Sequence, residues 1–146
     1  MAPDAYLPFL IARARNCTLR MLEEELGALN VTAQQGMILL QLADGRNNTP
    51  GALSRLAGVD SGAMTRLLDR LEAKRLLLRQ ADPHDRRAVR LVLSEEARAL
   101  MPAVAEAVRG VHARLWDSFP ASDAQRFHRS LLDVIGHAGV TQRETP

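Results

Sequence analysis

Apolar side chains recur at helical spacing over most of this chain, and the interruptions fall where helices should end. Leu7, Leu10, Ile11, Ala14, Cys17, Met21 and Leu22 repeat every three or four residues and leave Arg13, Arg20 and Glu24 outside. That spacing predicts a helix from about Tyr6 to Gly27, with Pro8 in its first turn. Thr32-Ala-Gln-Gln35 is a capping box, in which each side chain satisfies an exposed backbone donor of the other. It opens a second helix with Ile38, Leu39 and Leu42 inward and Gly45 at its end. Thr49-Pro50 places proline at the first position of a short helix, about 50–57, burying Leu53, Leu56 and Ala57.

Gly58 offers a left-handed exit, and Asp60 or Ser61 caps a helix over about 61–74 with Met64, Leu67, Leu68 and Leu71 inward. Ser61, Gly62, Thr65, Arg66, Asp69 and Arg70 lie toward its other side. Two helices joined by a short glycine turn, the second with a small, polar N-terminus, describe a helix-turn-helix. Small residues there let backbone N–H groups approach a phosphate. Leu76–Gln80 and Ala88–Leu93 are β-prone runs around the polar turn Asp82-Pro-His-Asp-Arg-Arg87, so a hairpin with a basic loop follows. Ser94 caps a long helix that carries Ala97, Leu100, Met101, Val104, Val108, Val111 and Leu115 on one stripe and that Pro102 should bend. Pro120 follows it, and Ser122-Asp-Ala-Gln125 reads as a capping box for a last helix bearing Phe127, Leu131 and Ile135.

The 146 residues suit one domain, 47% apolar and 25% charged, with no repeat or low-complexity segment. One cysteine forms no internal disulfide and suits a reducing cytoplasm. No apolar run approaches the roughly 18 residues of a membrane span, and the N-terminus lacks the basic segment of a signal peptide. Aromatics at 3% count against modules that stack bases on aromatic platforms. The net charge of +2 is small, but residues 66–90 hold eight basic side chains against four acidic ones. A local basic patch on a near-neutral body is the footprint of a polyanion-binding surface.

Three stretches carry a family resemblance: Val31-Thr-Ala-Gln-Gln, Val59-Asp-Ser-Gly-Ala-Met-Thr-Arg-Leu-Leu-Asp-Arg-Leu-Glu, and Asp82-Pro-His-Asp-Arg-Arg-Ala with Leu91-Val-Leu-Ser. With the order of elements, they make the chain similar to the MarR family of bacterial winged-helix transcription regulators, over roughly 7–137. The resemblance implies a mainly α fold with a small β-hairpin wing. Residues 32–94 would form a winged helix-turn-helix that binds DNA, flanked by helical dimerisation regions at 1–31 and 95–146. It further implies DNA contacts by Ser61, Gly62, Ala63, Thr65, Arg66 and Arg70 in the recognition helix and by Asp85, Arg86 and Arg87 in the wing. Arg87 would enter the minor groove, and Asp85 would orient a nearby basic side chain. The family usually has glycine where this chain has Arg75, so either the recognition helix ends differently here or Arg75 accepts a strained backbone.

By the same resemblance the protein would be a homodimeric, ligand-responsive repressor at a pseudo-palindromic operator of double-stranded DNA. Its effector would be a small aromatic or anionic molecule, with Tyr6, Arg13, Arg15 and His112 as candidate pocket residues. Cys17, on the apolar stripe, reads as core packing rather than a redox sensor. His84, His112, His128 and His137 lack metal-ligand spacing, and no phosphate-binding glycine loop, metalloprotease motif or nucleophile elbow appears. Neither cofactor nor metal is expected, and no membrane contact. The rival is a winged-helix module that binds protein without reading DNA.

Overall fold

The computed structural model describes residues 6–85 and 87–140. The helices are α1 (Leu7–Leu26), α2 (Ala33–Asp44), α3 (Pro50–Ala57), α4 (Ser61–Ala73), α5 (Glu95–Trp116) and α6 (Ala121–Val140), with strands β1 (Leu77–Ala81) and β2 (Val89–Leu93) between α4 and α5. The chain falls into two compact units, Met1–Val111 and His112–Pro146. Local chemistry sets most boundaries as expected. Thr32 and Gln35 form the capping box of α2, Thr49 caps α3 with Pro50 at its start, and Asp60 rather than Ser61 caps α4. Gly45 and Gly58 take left-handed φ values of 76° and 64° and end α2 and α3.

The first unit holds one continuous core. Leu22 and Leu26 of α1, Ile38, Leu39 and Leu42 of α2, Leu53 of α3, Met64, Leu68 and Leu71 of α4, Leu77, Leu91 and Leu93 of the hairpin, and Ala97, Val104, Ala107 and Val111 of α5 are all buried in it. At Gly36 a Cβ would lie 2.7 Å from Leu26 Cδ1, so any larger residue there would force the buried Leu26 side chain to shift. Glu23 of α1 accepts from the Ala33 N–H at 2.5 Å, one of the donors that the start of α2 leaves without a helical partner. Strands β1 and β2 pair antiparallel, Leu77 opposite Leu93 and Ala81 opposite Val89. The Leu91 N–H also donates to Asn48 O at 2.7 Å, tying the segment before α3 to the outer edge of β2. Nothing in the local pattern around Asn48 announced that third partner.

The exit of α4 resolves the question raised by Arg75. Its φ is 58°, the left-handed region. The Arg75 N–H donates to Glu72 O and the Leu76 N–H to Leu71 O, both at 2.9 Å, which is the paired arrangement that normally ends on glycine. Of the two expectations the second holds: α4 ends in the glycine-type exit, and Arg75 takes the strained conformation. Ser94 Oγ donates to Arg75 O at 2.6 Å and accepts from the Ala97 N–H at 3.0 Å, so one buried hydroxyl ties this exit to the start of α5.

Several expectations need correction. Leu56 and Ala57 are exposed, because α3 is only eight residues long and commits Leu53 alone to the core. Cys17 is exposed, as are Leu7, Leu10, Ile11 and Ala14, since only the last turns of α1 pack within this chain. Cys17 is therefore not core packing of the chain. The long helix itself is as expected, with Pro102 inside α5. α6 begins at Ala121, before Ser122, because Pro120 O already accepts from the Asp123 N–H at 2.9 Å, so Ser122 lies inside the first turn and does not cap it. In the second unit, Trp116 packs on Phe119 and Phe127 with ring centroids 5.5 Å away in each case, while Phe127, Leu132 and Ile135 of α6 stay exposed.

A left-handed side-chain residue costs about 1–2 kcal/mol, of which glycine's freer unfolded chain returns part. Arg75→Gly should raise the unfolding free energy by about 0.5–1 kcal/mol, measured as a higher urea midpoint with unchanged slope. A lower midpoint would show that Arg75 stabilises through its side chain by more than its backbone costs.

Candidate nucleic-acid interface

At about 100° per residue, the polar side of α4 runs around the helix from Ser61 through Thr65, Asp69, Gly62 and Arg66 to Arg70, and all six are exposed. Opposite them, Met64, Leu68 and Leu71 lock the helix into the core. Asp60 Oδ1 accepts from the Ala63 N–H at 2.8 Å, and Thr65 Oγ1 donates to Ser61 O at 2.8 Å, so the outward Thr65 oxygen is left as an acceptor. Ala63 departs from expectation. It sits on the flank of α4, half-buried, and its side chain lines a cavity instead of the exposed side.

The wing is shaped by two aspartates. Asp82 Oδ1 accepts from the His84 N–H at 2.8 Å, and its other oxygen pairs with Arg90 at 3.2 Å. Asp85 Oδ1 accepts from the Arg87 N–H at 2.9 Å, and its carbonyl accepts from the Ala88 N–H at 2.9 Å. Asp85 thus holds backbone rather than a basic side chain, as an aspartate does when it folds a turn over itself. The wing carboxylate that pairs with an arginine is Asp82. Arg87 is exposed; Arg86 lies outside the described residues.

The basic patch is thinned by internal pairing. Arg79 of β1 reaches back to α4, pairing with Asp69 at 2.7 Å and with Glu72. The hydrogen bond to Asp69, together with the charges of both carboxylates, raises its pKa further. Lys74 Nζ donates to Asn30 O at 2.6 Å and to the buried Gln35 Oε1 at 2.9 Å. Among the described residues, Arg66, Arg70, Arg75 and Arg87 of this segment are in no ion pair. Neither alternation nor spacing indicated the Arg79 clamp, because each describes one element and the clamp joins a helix to the strand that follows it.

Behind α4 lies a cavity of about 520 Å³, with walls from α1, α2, α3, α4 and α5. Its polar groups are Arg15, Thr18 and Gln34; the rest is aliphatic, including Leu19, Met37, Leu67 and Val108. Of the four residues expected at an effector pocket, only Arg15 lines it. Arg13, two residues from Arg15 and so across the helix, places its guanidinium 5.8 Å from the centroid of the Phe9 ring. Tyr6 is exposed and outside the cavity, and His112 lines a separate groove of the second unit with Trp116 and His128. Among the described residues, no group of three or more His, Cys, Asp or Glu is placed to hold a metal ion, and no helix is long and apolar enough to cross a membrane.

Comparison with known proteins decides the family. A MarR family model matches residues 29–88. The multiple antibiotic resistance protein MarR of Escherichia coli K12 is 31% identical over 117 residues, covering 80% of this chain and 81% of that one. The chain belongs to the MarR family. The crystal structure of a mutant of Escherichia coli MarR complexed with operator DNA superposes with a TM-score of 0.78 at 30% identity, covering 88% of this chain and 92% of that one. A MarR transcriptional regulator from Methanosarcina mazei Go1 shares the fold, with a TM-score of 0.82 at 20% identity over 94% of this chain and 98% of that one. This MarR-family protein is thus a transcription regulator with a DNA-binding winged helix.

The wing carries a pH signature. The His84 N–H, and after it the Arg90 charge, holds the Asp82 carboxyl below its usual value. A carboxyl lowered in the folded state stabilises that state above its unfolded value, and the contribution disappears as pH falls through the folded value. The His84 amide resonance should therefore titrate with a midpoint below the ordinary aspartate range, observed by NMR. A midpoint at or above that range would mean that Asp82 does not hold the turn.

Proposed function

We propose that this MarR-family regulator is a homodimeric repressor that reads a pseudo-palindromic operator and releases it when a small effector binds. The carrying observation is the outward side of α4, where Ser61, Gly62, Thr65, Arg66 and Arg70 stand exposed beside a wing that presents Arg87. In this reading α4 enters the major groove, Arg66 meets base edges, and the Thr65 oxygen accepts from a base amino group. Arg87 follows the narrow minor groove, with Arg86 assigned to the same wing by resemblance. Residues 32–94 then bind DNA, while the regions 1–31 and 95–146 dimerise; the exposed Leu7, Phe9 and Leu10 of α1 and the exposed Phe127, Leu132 and Ile135 of α6 supply apolar surface for that. Operator symmetry requires a two-fold partner. The chain carries out no catalytic step in this reading, and the cytoplasm, where duplex DNA is reached, is its place of action. The E. coli relative solved on operator DNA supports the DNA reading.

Competition binding on single-base variants of a duplex selected from a random pool, at two salt concentrations, tests it. Arg66→Ala should flatten the preference at particular positions by about 1–3 kcal/mol. Arg87→Ala should weaken binding to all A·T-flanked duplexes and lower the salt slope by about one unit. Sedimentation equilibrium of the intact chain should give twice its 16.1 kDa mass. Binding that ignores salt and sequence would favour a protein-interaction module instead.

The cavity behind α4 is the effector site in this reading, with Arg15 for an anionic head and aliphatic walls for the body. Benzoate or octanoate, titrated into the complex with the selected duplex, should release DNA. Arg15→Ala should abolish that response, and a response that survives the substitution places the effector elsewhere.

A further inference from the structure

We propose that Arg79 is a positioning residue for DNA binding, keeping two carboxylates of α4 from opposing the phosphate backbone. The inference rests on the DNA reading above and adds to it a residue outside the contact surface. Asp69 lies near the middle of the exposed arc of α4, about 20° around the helix from Gly62 and between Thr65 and Arg66. It is 57% exposed, and Glu72 at the edge of the same arc is 44% exposed. Two bare carboxylates there would repel phosphate, and Asp69, one turn from Arg66, would compete with DNA for that guanidinium. Arg79 prevents both. Its guanidinium spans the two carboxylates from β1, with one nitrogen on Asp69 and another on Glu72. It sits on the strand side that carries the buried Leu77, and its pairs with Asp69 and Glu72 leave Arg66 and Arg70 outside any ion pair among the described residues. The planar fork matters, because a lysine ammonium is a point charge that cannot span two acceptors in the same way.

The experiment measures fluorescence anisotropy of the full chain on a random-sequence 30-base-pair duplex and on the selected duplex, across a salt series. Arg79→Gln should bind both about tenfold more weakly at low salt, with the deficit shrinking as salt rises. Arg79→Lys keeps the net charge and loses the two-pronged reach, so it should lose about threefold. Adding Asp69→Asn and Glu72→Gln to Arg79→Gln should restore binding to within about twofold of wild type. Thermal unfolding of each variant identifies any that fails to fold, and the triple substitution then decides the matter, since it lacks the clamp but also lacks the charges that need it. Full affinity in Arg79→Gln or Arg79→Lys, or a folded triple variant as weak as Arg79→Gln, overturns the proposal; the last result would make Arg79 a DNA contact itself. A wild-type chain that binds neither duplex overturns the DNA reading on which the proposal rests.

Discussion

The hydroxyl of Ser94 is the point on which the rest of the DNA-binding unit depends. Its oxygen gives a hydrogen bond to Arg75 O and takes one from the Ala97 N–H, while the Ser94 backbone N–H reaches Leu76 O and its carbonyl accepts from the Arg98 N–H. One buried residue thereby fixes three things together: where α4 stops, where β2 stops and where α5 starts. A hydroxyl suits this place because it is both donor and acceptor, and alanine would take this partner from the Arg75 carbonyl and from a helix-start N–H. The left-handed Arg75 is tolerable for the same reason, since the chain around it is held from both sides.

Much of this architecture was legible in the sequence because it is written in local chemistry. The Thr32–Gln35 box, Thr49-Pro50, Gly45 and Gly58 act over a few residues, and the structure uses each as the pattern implied. What escaped is of two kinds. Asn48 on Leu91 and Lys74 on Gln35 join positions far apart in sequence, Arg79 on Asp69 joins a helix to the next strand, and the periodicity of a single element carries no information about such pairs. Helical periodicity also marks which residues share a side without saying what covers them. Cys17 and Leu10 fit an apolar stripe yet remain exposed in the chain, whereas Leu22 and Leu26 on the same helix are buried.

The same limit applies at the interface. Residue type and spacing pointed to Ser61, Thr65 and Arg66 as outward groups, and they are outward. Ala63 and Asp85 were grouped with them by motif, yet one turns to a cavity and the other folds its own turn. α4 therefore has three sides with different duties. One faces outward, one anchors in the core, and a flank formed by Ala63 and Leu67 lines the cavity.

Of the 19 basic residues, one is a lysine, and it is Lys74 at the C-cap of α4. Its amine is engaged with Asn30 O and Gln35 Oε1, and its backbone N–H with Arg70 O. A lysine-specific protease therefore has a single bond to cut in the whole chain, and that bond is protected only while the exit of α4 is closed. Cleavage requires the exit to open, so the rate of that one cut reports how often the chain lets go of the end of its recognition helix.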